Sequence, residues 1–146
     1  MNMKIISHRG NLNGPSVDLE NNPTHINKVI EFGYDVEIDL WFKNKKFYLG
    51  HDEPIYQIDK YWLLNKKNYL WIHLKNIEAL EIDFLNTLNY FWHESDKLTL
   101  TSKGIPWCYP GIYVKNGITV VQDNSIVDKD ILGICTDYPQ LYGELK

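Results

Sequence analysis

The sequence lacks several features that define special classes of protein. It contains only two cysteines, Cys108 and Cys135, which form no CxxC pair and no evident disulfide framework, so we expect reduced, buried thiols. It has no apolar run long enough to span a membrane, and its first residues, MNMKIISHRG, contain no signal-peptide core. These absences predict a cytoplasmic protein without a membrane span.

Clusters of positive charge are missing as well. The net charge is −4, and the pairs Lys45-Lys46 and Lys66-Lys67 are too short to form a basic surface. Nucleic-acid binding relies on clustered lysine and arginine, so we expect no nucleic-acid partner. A chain of 146 residues without repeats or linkers predicts one domain, residues 1–146, with its own hydrophobic core.

Strand and helix patterns alternate in the first half of the chain and give way to short strands in the second. Predicted strands lie at 4–8, 35–41, 70–74, 89–93, 97–101, 111–114, 118–122 and 133–136. Predicted helices lie at 23–33, 57–68 and 77–88, with a helical turn at 124–132. Alternation of this kind favours an α/β domain with parallel strands.

Two carboxylates share one face of the predicted strand YDVEIDLWF. Because side chains alternate along a strand, Val36, Ile38 and Leu40 form a buried stripe on one side. Glu37 and Asp39 lie together on the other side. Unpaired, the two charges would repel each other, whereas a divalent cation such as Mg²⁺, Ca²⁺ or Mn²⁺ would bind both.

Other polar residues follow the ends of neighbouring strands. His8 and Arg9 come after the first strand, and His51 follows the segment FYLG. Two histidines can share general-base and general-acid work near neutral pH, and a guanidinium group binds phosphate oxygens. A cation site, two proton carriers and an anion-binding arginine are the groups that phosphodiester chemistry requires.

Four short motifs, in their order and strand context, resemble the glycerophosphodiester phosphodiesterase family of phospholipase-C-like barrels. They are HRG at 8–10, EN at 20–21, ExD at 37–39 and HD at 51–52. The resemblance covers residues 4–76 and, through GICTDYP, residues 132–139, while residues 89–128 match nothing in the family. It identifies the chain as a short, divergent relative.

The resemblance implies a fold and a quaternary structure. The family has a TIM-like (β/α)₈ barrel, which takes about 250 residues. We therefore expect a reduced barrel with several outer helices missing or shortened, especially after residue 90. Strand faces without helices would need cover, so we expect a homodimer or larger homo-oligomer.

The resemblance also implies roles for individual residues. His8 would act as general base and His51 as general acid. Glu37 and Asp39 would hold a divalent metal at the mouth of the barrel. Arg9 and Lys75 would bind the substrate phosphate, and Glu20 would orient Arg9 or the ligand from behind. In contrast, Asp137 is interpreted as a turn residue before Pro139. The aromatic residues Trp92, Trp107 and Tyr109 either stack on a sugar or glycerol moiety or, as we favour, seal the helix-poor barrel.

The sequence departs from the family pattern at His73. This residue stands where the family places a third carboxylate ligand, in the segment WIHLKN, while Lys75 is retained. An imidazole ligand would favour Mn²⁺ or Zn²⁺ over Mg²⁺ and Ca²⁺. Alternatively, Glu37 and Asp39 are the only protein ligands, with substrate phosphate and water completing the coordination, and His73 contacts the phosphate. We predict that one divalent ion binds here. The ion is Mg²⁺, Ca²⁺ or Mn²⁺, or alternatively Zn²⁺, which an imidazole ligand such as His73 can bind.

Three functions are consistent with this reading of the sequence. The leading one is a metal-dependent phosphodiesterase that hydrolyses a glycerophosphodiester or a related polyol phosphodiester, a small-molecule substrate. The second is a non-catalytic module that binds a phosphorylated polyol or a surface glycan on a degenerate barrel. The third is a phosphoglycerol transferase or lyase of glycan synthesis. Retention of both His8 and His51 favours an enzyme, because a pure binding module needs no proton carriers.

Overall fold

The described part of the chain, residues 3–142 of this computed structural model, contains ten strands in one sheet and two α-helices. The strands are β1 (Lys4–His8), β2 (Asp35–Lys43), β3 (Lys46–Leu49), β4 (Tyr56–Ile58), β5 (Leu70–Leu74), β6 (Tyr90–Phe91), β7 (Leu98–Leu100), β8 (Pro106–Cys108), β9 (Ile118–Val121) and β10 (Gly133–Thr136). The helices are α1 (Pro23–Glu31) and α2 (Lys60–Lys66), and short 3₁₀ helices cover Ile77–Glu81, Leu85–Thr87 and Pro139–Tyr142.

Both α-helices begin at capping residues that the sequence supplies. The side chain of Asn22 accepts hydrogen bonds from the backbone N–H groups of Thr24 and His25, and Pro23 occupies the first turn of α1. Asp59 caps α2 in the same way by accepting from the N–H of Trp62. The predictions of helices at 23–33 and 57–68 are therefore confirmed, with α2 shorter than its predicted range.

The order of the strands places the site at one end of the sheet. Along the sheet the order is β6-β5-β2-β1-β10-β9-β8-β7, and every pairing from β6 to β8 is parallel. The hairpin of β3 and β4 extends from the later half of β2, and β7 pairs with β8 antiparallel. Parallel strands bring their carboxyl ends together, so residues that follow β1, β2 and β5 meet at one edge.

The two faces of the sheet have separate cores. On the outer face, α1, α2 and the 3₁₀ helices cover buried aliphatic residues that include Ile26, Val36, Ile38, Leu63 and Ile72. On the inner face lies a hydrophobic floor, named the aromatic floor for Trp71, Phe91 and Trp107, that also contains Ile6, Ile118 and Cys135. The alternation along β2 is confirmed, because its aliphatic residues belong to the outer core. The same alternation turns the carboxylates of β2 towards the inner face, above the floor.

The prediction of a reduced TIM-like (β/α)₈ barrel is confirmed only as far as an α/β fold. In the described residues the sheet is α/β with outer helices, but no strand ladder joins β6 to β7, so the sheet is not closed. Only the turn after β7 reaches across, where the N–H of Ser102 donates to the carbonyl of Tyr90. The expected shortage of helices after residue 90 is confirmed within residues 3–142.

Three predicted elements are wrong. The segment 111–114 is not a strand; it forms a turn held by a hydrogen bond from Thr119 Oγ1 to the carbonyl of Ile112. The strand in this region is β8 instead. The predicted helix at 77–88 is two short 3₁₀ helices, because Ile82 adopts an extended conformation between them. The segment 124–132 contains no helical turn.

Between residues 3 and 142, no helix is long and apolar enough to cross a membrane. Several apolar side chains of the helix-poor half are exposed, among them Trp92 and Leu100. The homodimer or larger homo-oligomer expected from such uncovered surface stays a prediction.

Candidate active site

A cavity of about 360 Å³ opens at the carboxyl end of the parallel strands, above the aromatic floor. It contains most of the residues that the sequence nominated. Its lining includes His8, Arg9, Glu37, His51, His73, Lys75, Phe91, His93, Trp107 and Tyr109. Asp39 lies directly behind this wall and is 1% exposed. Residues far apart in the chain thus meet in one cavity.

Glu37 and Asp39 are buried side by side with part of their hydrogen-bonding capacity unused. Glu37 Oε1 and Asp39 Oδ1 are buried and have no hydrogen-bond partner. Burial and the neighbouring charge of Asp39 raise the pKa of Glu37 to about 7. Although burial alone would raise it, contacts with His73, Arg9 and Asn21 lower the pKa of Asp39 to about 2. Two buried carboxylate oxygens without donors are the environment that a cation would complete.

Asn21 holds Asp39 in place where the sheet itself leaves a gap. The ladder between β1 and β2 ends at Glu37, and the ladder between β2 and β3 begins at Leu40. In the gap, the side chain of Asn21 accepts from the Asp39 N–H at 3.0 Å and donates to Asp39 Oδ2 at 2.9 Å. The side chain of Asn21 thereby takes the place of a neighbouring strand, and because it both donates and accepts, an ionised acid could not replace it.

His73 presents a nitrogen to the same carboxylate pair. Its Nε2 lies 2.9 Å from the backbone carbonyl of His93, which can only accept, so Nε2 carries the proton. Its Nδ1 lies 3.4 Å from Asp39 Oδ1, and a cation bound there would take the lone pair of this nitrogen. Glu37, Asp39 and His73 each offer a ligand atom, and these atoms lie within 4.8 Å of one another. A histidine whose other ring nitrogen donates to a carbonyl is the usual arrangement of a metal ligand, so the residues fit a divalent cation.

His8 is held by a residue that the sequence reading dismissed. Its Nδ1 lies 2.8 Å from Asp137 Oδ1, and a carboxylate accepts, so Nδ1 donates and Nε2 is left for the cavity. Asn11 donates to the same Asp137 oxygen at 2.8 Å and fixes it. Burial alone would lower the pKa of His8, but the bond to Asp137 and the charge of Glu37 outweigh it and raise the pKa. Asp137 therefore does more than form a turn.

Arg9 lies between the carboxylates and Glu20. Its Nε is 3.4 Å from Asp39 Oδ2, and its Nη1 is 3.4 Å from Glu20 Oε2. The other oxygen of Glu20 accepts from Asn11 at 3.0 Å. Glu20 does not line the cavity but contacts Arg9 from behind, which is the position proposed for it from the resemblance.

His51 enters the cavity from the turn after β3. Its Nδ1 lies 3.9 Å from Asp39 Oδ2, and its side chain is 39% exposed. Burial and the positive charges of Arg9 and Lys75 lower the pKa of His51, although the charge of Asp39 opposes them. Without a metal, His8 thus holds its proton to higher pH than His51.

The turn that carries His51 depends on Gly50. A Cβ atom on Gly50 would collide with the backbone carbonyl of Glu53, and Trp41 Nε1 also donates to the Gly50 carbonyl at 2.7 Å. We expect Gly50→Ala to destabilise the protein by about 2–3 kcal/mol in chemical denaturation, because a backbone atom must move. Gly104→Ala is the matched control, since Gly104 also has a positive φ but has open space around it. Equal losses in the two variants would contradict this account of the turn.

The remaining wall of the cavity is aromatic. Phe91 stacks on Trp107 with ring centroids 4.5 Å apart, and the ring of His93 lies 4.4 Å from that of Tyr109. Lys75 also lines the cavity. Trp107 and Tyr109 both line it, and Trp107 is in addition part of the buried floor.

Comparisons with known proteins agree with this geometry at the level of the fold. No family model and no curated protein matches the sequence. Among solved structures, the crystal structure of a glycerophosphodiester phosphodiesterase from Agrobacterium tumefaciens is similar, with a TM-score of 0.62 over 98% of both chains and 14% sequence identity. The two proteins share a fold.

Proposed function

We propose that the chain is a metal-dependent phosphodiesterase that hydrolyses a glycerophosphodiester or a related polyol phosphodiester. One observation carries the proposal: the possible ligand atoms of Glu37, Asp39 and His73 lie within 4.8 Å of one another. His8 and His51 line the same cavity. The structural likeness to a glycerophosphodiester phosphodiesterase supports the same class of reaction.

The side chains divide the work by their positions. Glu37, Asp39 and His73 would hold the divalent cation, which when bound supplies positive charge against the phosphoryl oxygens. Arg9 and Lys75, both in the cavity wall, bind those oxygens. Asp137 keeps the proton of His8 on Nδ1, so Nε2 takes the proton of the attacking hydroxyl or water. His51, on the other side of Asp39, protonates the departing alkoxide.

The pKa shifts of the metal-free protein run against these two roles. The pKa of His8 is raised partly by the negative charge of Glu37, and that of His51 is lowered by burial and nearby cations. A cation on Glu37 cancels part of the charge that raises the pKa of His8. The assignment of base and acid therefore belongs to the metal-loaded protein.

The test is an assay of glycerophosphodiesters with the full chain. We expect alcohol release that requires a divalent cation, is greater with Mn²⁺ than with Mg²⁺ because of His73, and stops on chelation. Turnover that is indifferent to chelator would contradict the proposal. A substrate lacking the hydroxyl next to the phosphate decides between internal attack, which needs it, and attack by water, which does not.

A further inference from the structure

A second pocket continues from the candidate active site. It has a volume of about 310 Å³ and includes Tyr113, Asp123 and Ser125. Pro110, Val120 and Gln122 line both this pocket and the catalytic cavity. The two spaces therefore adjoin, with Pro110, Val120 and Gln122 at their boundary.

The second pocket has a fixed acceptor for hydroxyl groups. Asp123 Oδ1 accepts from the backbone N–H of Ser125 at 3.0 Å and from its hydroxyl at 2.5 Å. No hydrogen bond within residues 3–142 occupies Asp123 Oδ2, so this oxygen is available to a ligand. An ionised carboxylate accepts strong hydrogen bonds from hydroxyl groups. The exposed amide of Gln122 adds both a donor and an acceptor beside it.

The charge of the pocket separates it from the phosphate site. Within residues 3–142 its lining has the Asp123 carboxylate and no lysine or arginine, whereas the catalytic cavity has Arg9 and Lys75. The ammonium of Lys129 lies 5.4 Å from the centroid of the Tyr113 ring, so the Asp123 carboxylate and an ammonium group are both close to this pocket. Because charges of both signs are present, neither a second phosphate nor a cationic group is favoured over a neutral one.

The geometry points to a subsite, formed by Tyr113, Gln122 and Asp123, for a neutral polyhydroxylated alcohol such as a sugar. This inference rests on the proposed function: the sugar would be the alcohol that lies over Pro110 when the phosphate occupies the catalytic cavity. Tyr113 would contact the apolar face of the ring, and Asp123 and Gln122 its hydroxyl groups. The preferred substrate is then a glycosylated phosphodiester.

The experiment compares three diesters of glycerol phosphate that differ in the second alcohol: methanol, a hexose or choline. We expect wild type to have at least tenfold higher kcat/KM for the hexose diester than for the methyl diester. Asp123→Ala and Tyr113→Ala should each remove about tenfold from the hexose diester and leave the methyl diester within twofold, since the variants touch only the second alcohol. Asp130→Asn, an exposed acid paired with Lys115, is the matched control.

Binding measured by calorimetry separates this inference from the proposed function. If wild type cleaves no diester, the phosphodiesterase proposal fails, yet tighter binding of the hexose diester than of the methyl diester, lost in Asp123→Ala, still supports the subsite. Equal affinity for both diesters overturns the subsite. A preference for the choline diester, or for a hexose diester with a second phosphate, overturns its assignment to a neutral alcohol.

Discussion

Replacement of His8 by alanine is expected to lower the turnover of glycerophosphodiesters roughly a thousandfold while the chain still binds them. Positioned acid–base groups contribute about 10²–10⁴-fold to rate, and His8 combines a carboxylate hydrogen-bond partner with a ring nitrogen directed to the cavity. The measurement is kcat for the metal-loaded variant, together with Kd for the same diester by calorimetry.

Two further variants make this result specific. His25→Gln removes a histidine outside the cavity and keeps a donor for the Gly10 carbonyl, which His25 Nε2 contacts at 2.8 Å, so its kcat should be unchanged. Asp137→Asn should lower kcat less than His8→Ala and should move the pH profile of kcat. Without the carboxylate, the proton of His8 is no longer held on Nδ1, but the ring is still present. A non-catalytic binding module is indicated if wild type and His8→Ala bind equally and neither turns over.

Glu37→Gln and Asp39→Asn are expected to change the stability of the metal-free protein in opposite directions. The pKa of Glu37 is raised to about 7, so its ionisation weakens the fold as pH rises from about 4.5 through 7, and Gln removes this cost. We expect Glu37→Gln to be more stable than wild type at pH 8 by about 2 kcal/mol, or roughly 5 °C in Tm, with the gap closing towards pH 5.

Ionisation of Asp39 has the opposite effect on the stability of the fold. Its pKa is lowered to about 2, so its charge stabilises the fold above its unfolded value of 3.8, and the contribution is lost as pH falls through 2. Asp39→Asn should therefore lose about 2 kcal/mol at pH 8, since it leaves Arg9 without this partner.

A titration with divalent cations completes the test of Glu37 and Asp39. A cation that binds the folded chain must raise its Tm by linkage, and we expect this rise in wild type and in neither variant. The titration uses Mg²⁺, Ca²⁺, Mn²⁺ and Zn²⁺ in thermal-shift assays at pH 8. If no cation raises the Tm of wild type, Glu37 and Asp39 do not form a metal site. The next measurement would then be phosphate binding by Arg9 and Lys75.

The sequence was sufficient for those parts of the site that lie on single strands. Alternation along β2 separates Glu37 and Asp39 from Ile38, and the same alternation along β5 turns His73 towards the cavity. These placements need only the period of a strand and its parallel neighbours. The same rule places Trp71 on the inner face with the aromatic floor, because Trp71 precedes His73 by two positions.

The parts that escaped prediction depend on contacts between distant segments. Asp137 precedes Pro139 and reads locally as a turn residue, and nothing near it in sequence indicates a bond to His8. In the same way, Ile112 and Val114 alternate as in a strand, but Thr119 holds that segment as a turn and β8 takes the place in the sheet. The sheet of the described residues does not close for a related reason. β6 is only two residues long, and no strand ladder joins it to β7.

The pairing of β1 with β10 has a consequence for the order in which the protein becomes competent during synthesis. His8 leaves the ribosome 129 residues before its partner Asp137, which follows β10, the strand that pairs with β1. Long-range pairings of this kind form late, after the loop between them has closed. A nascent chain that extends to residue 73 therefore contains all three candidate metal ligands, yet its His8 stays unoriented until β10 has docked on β1.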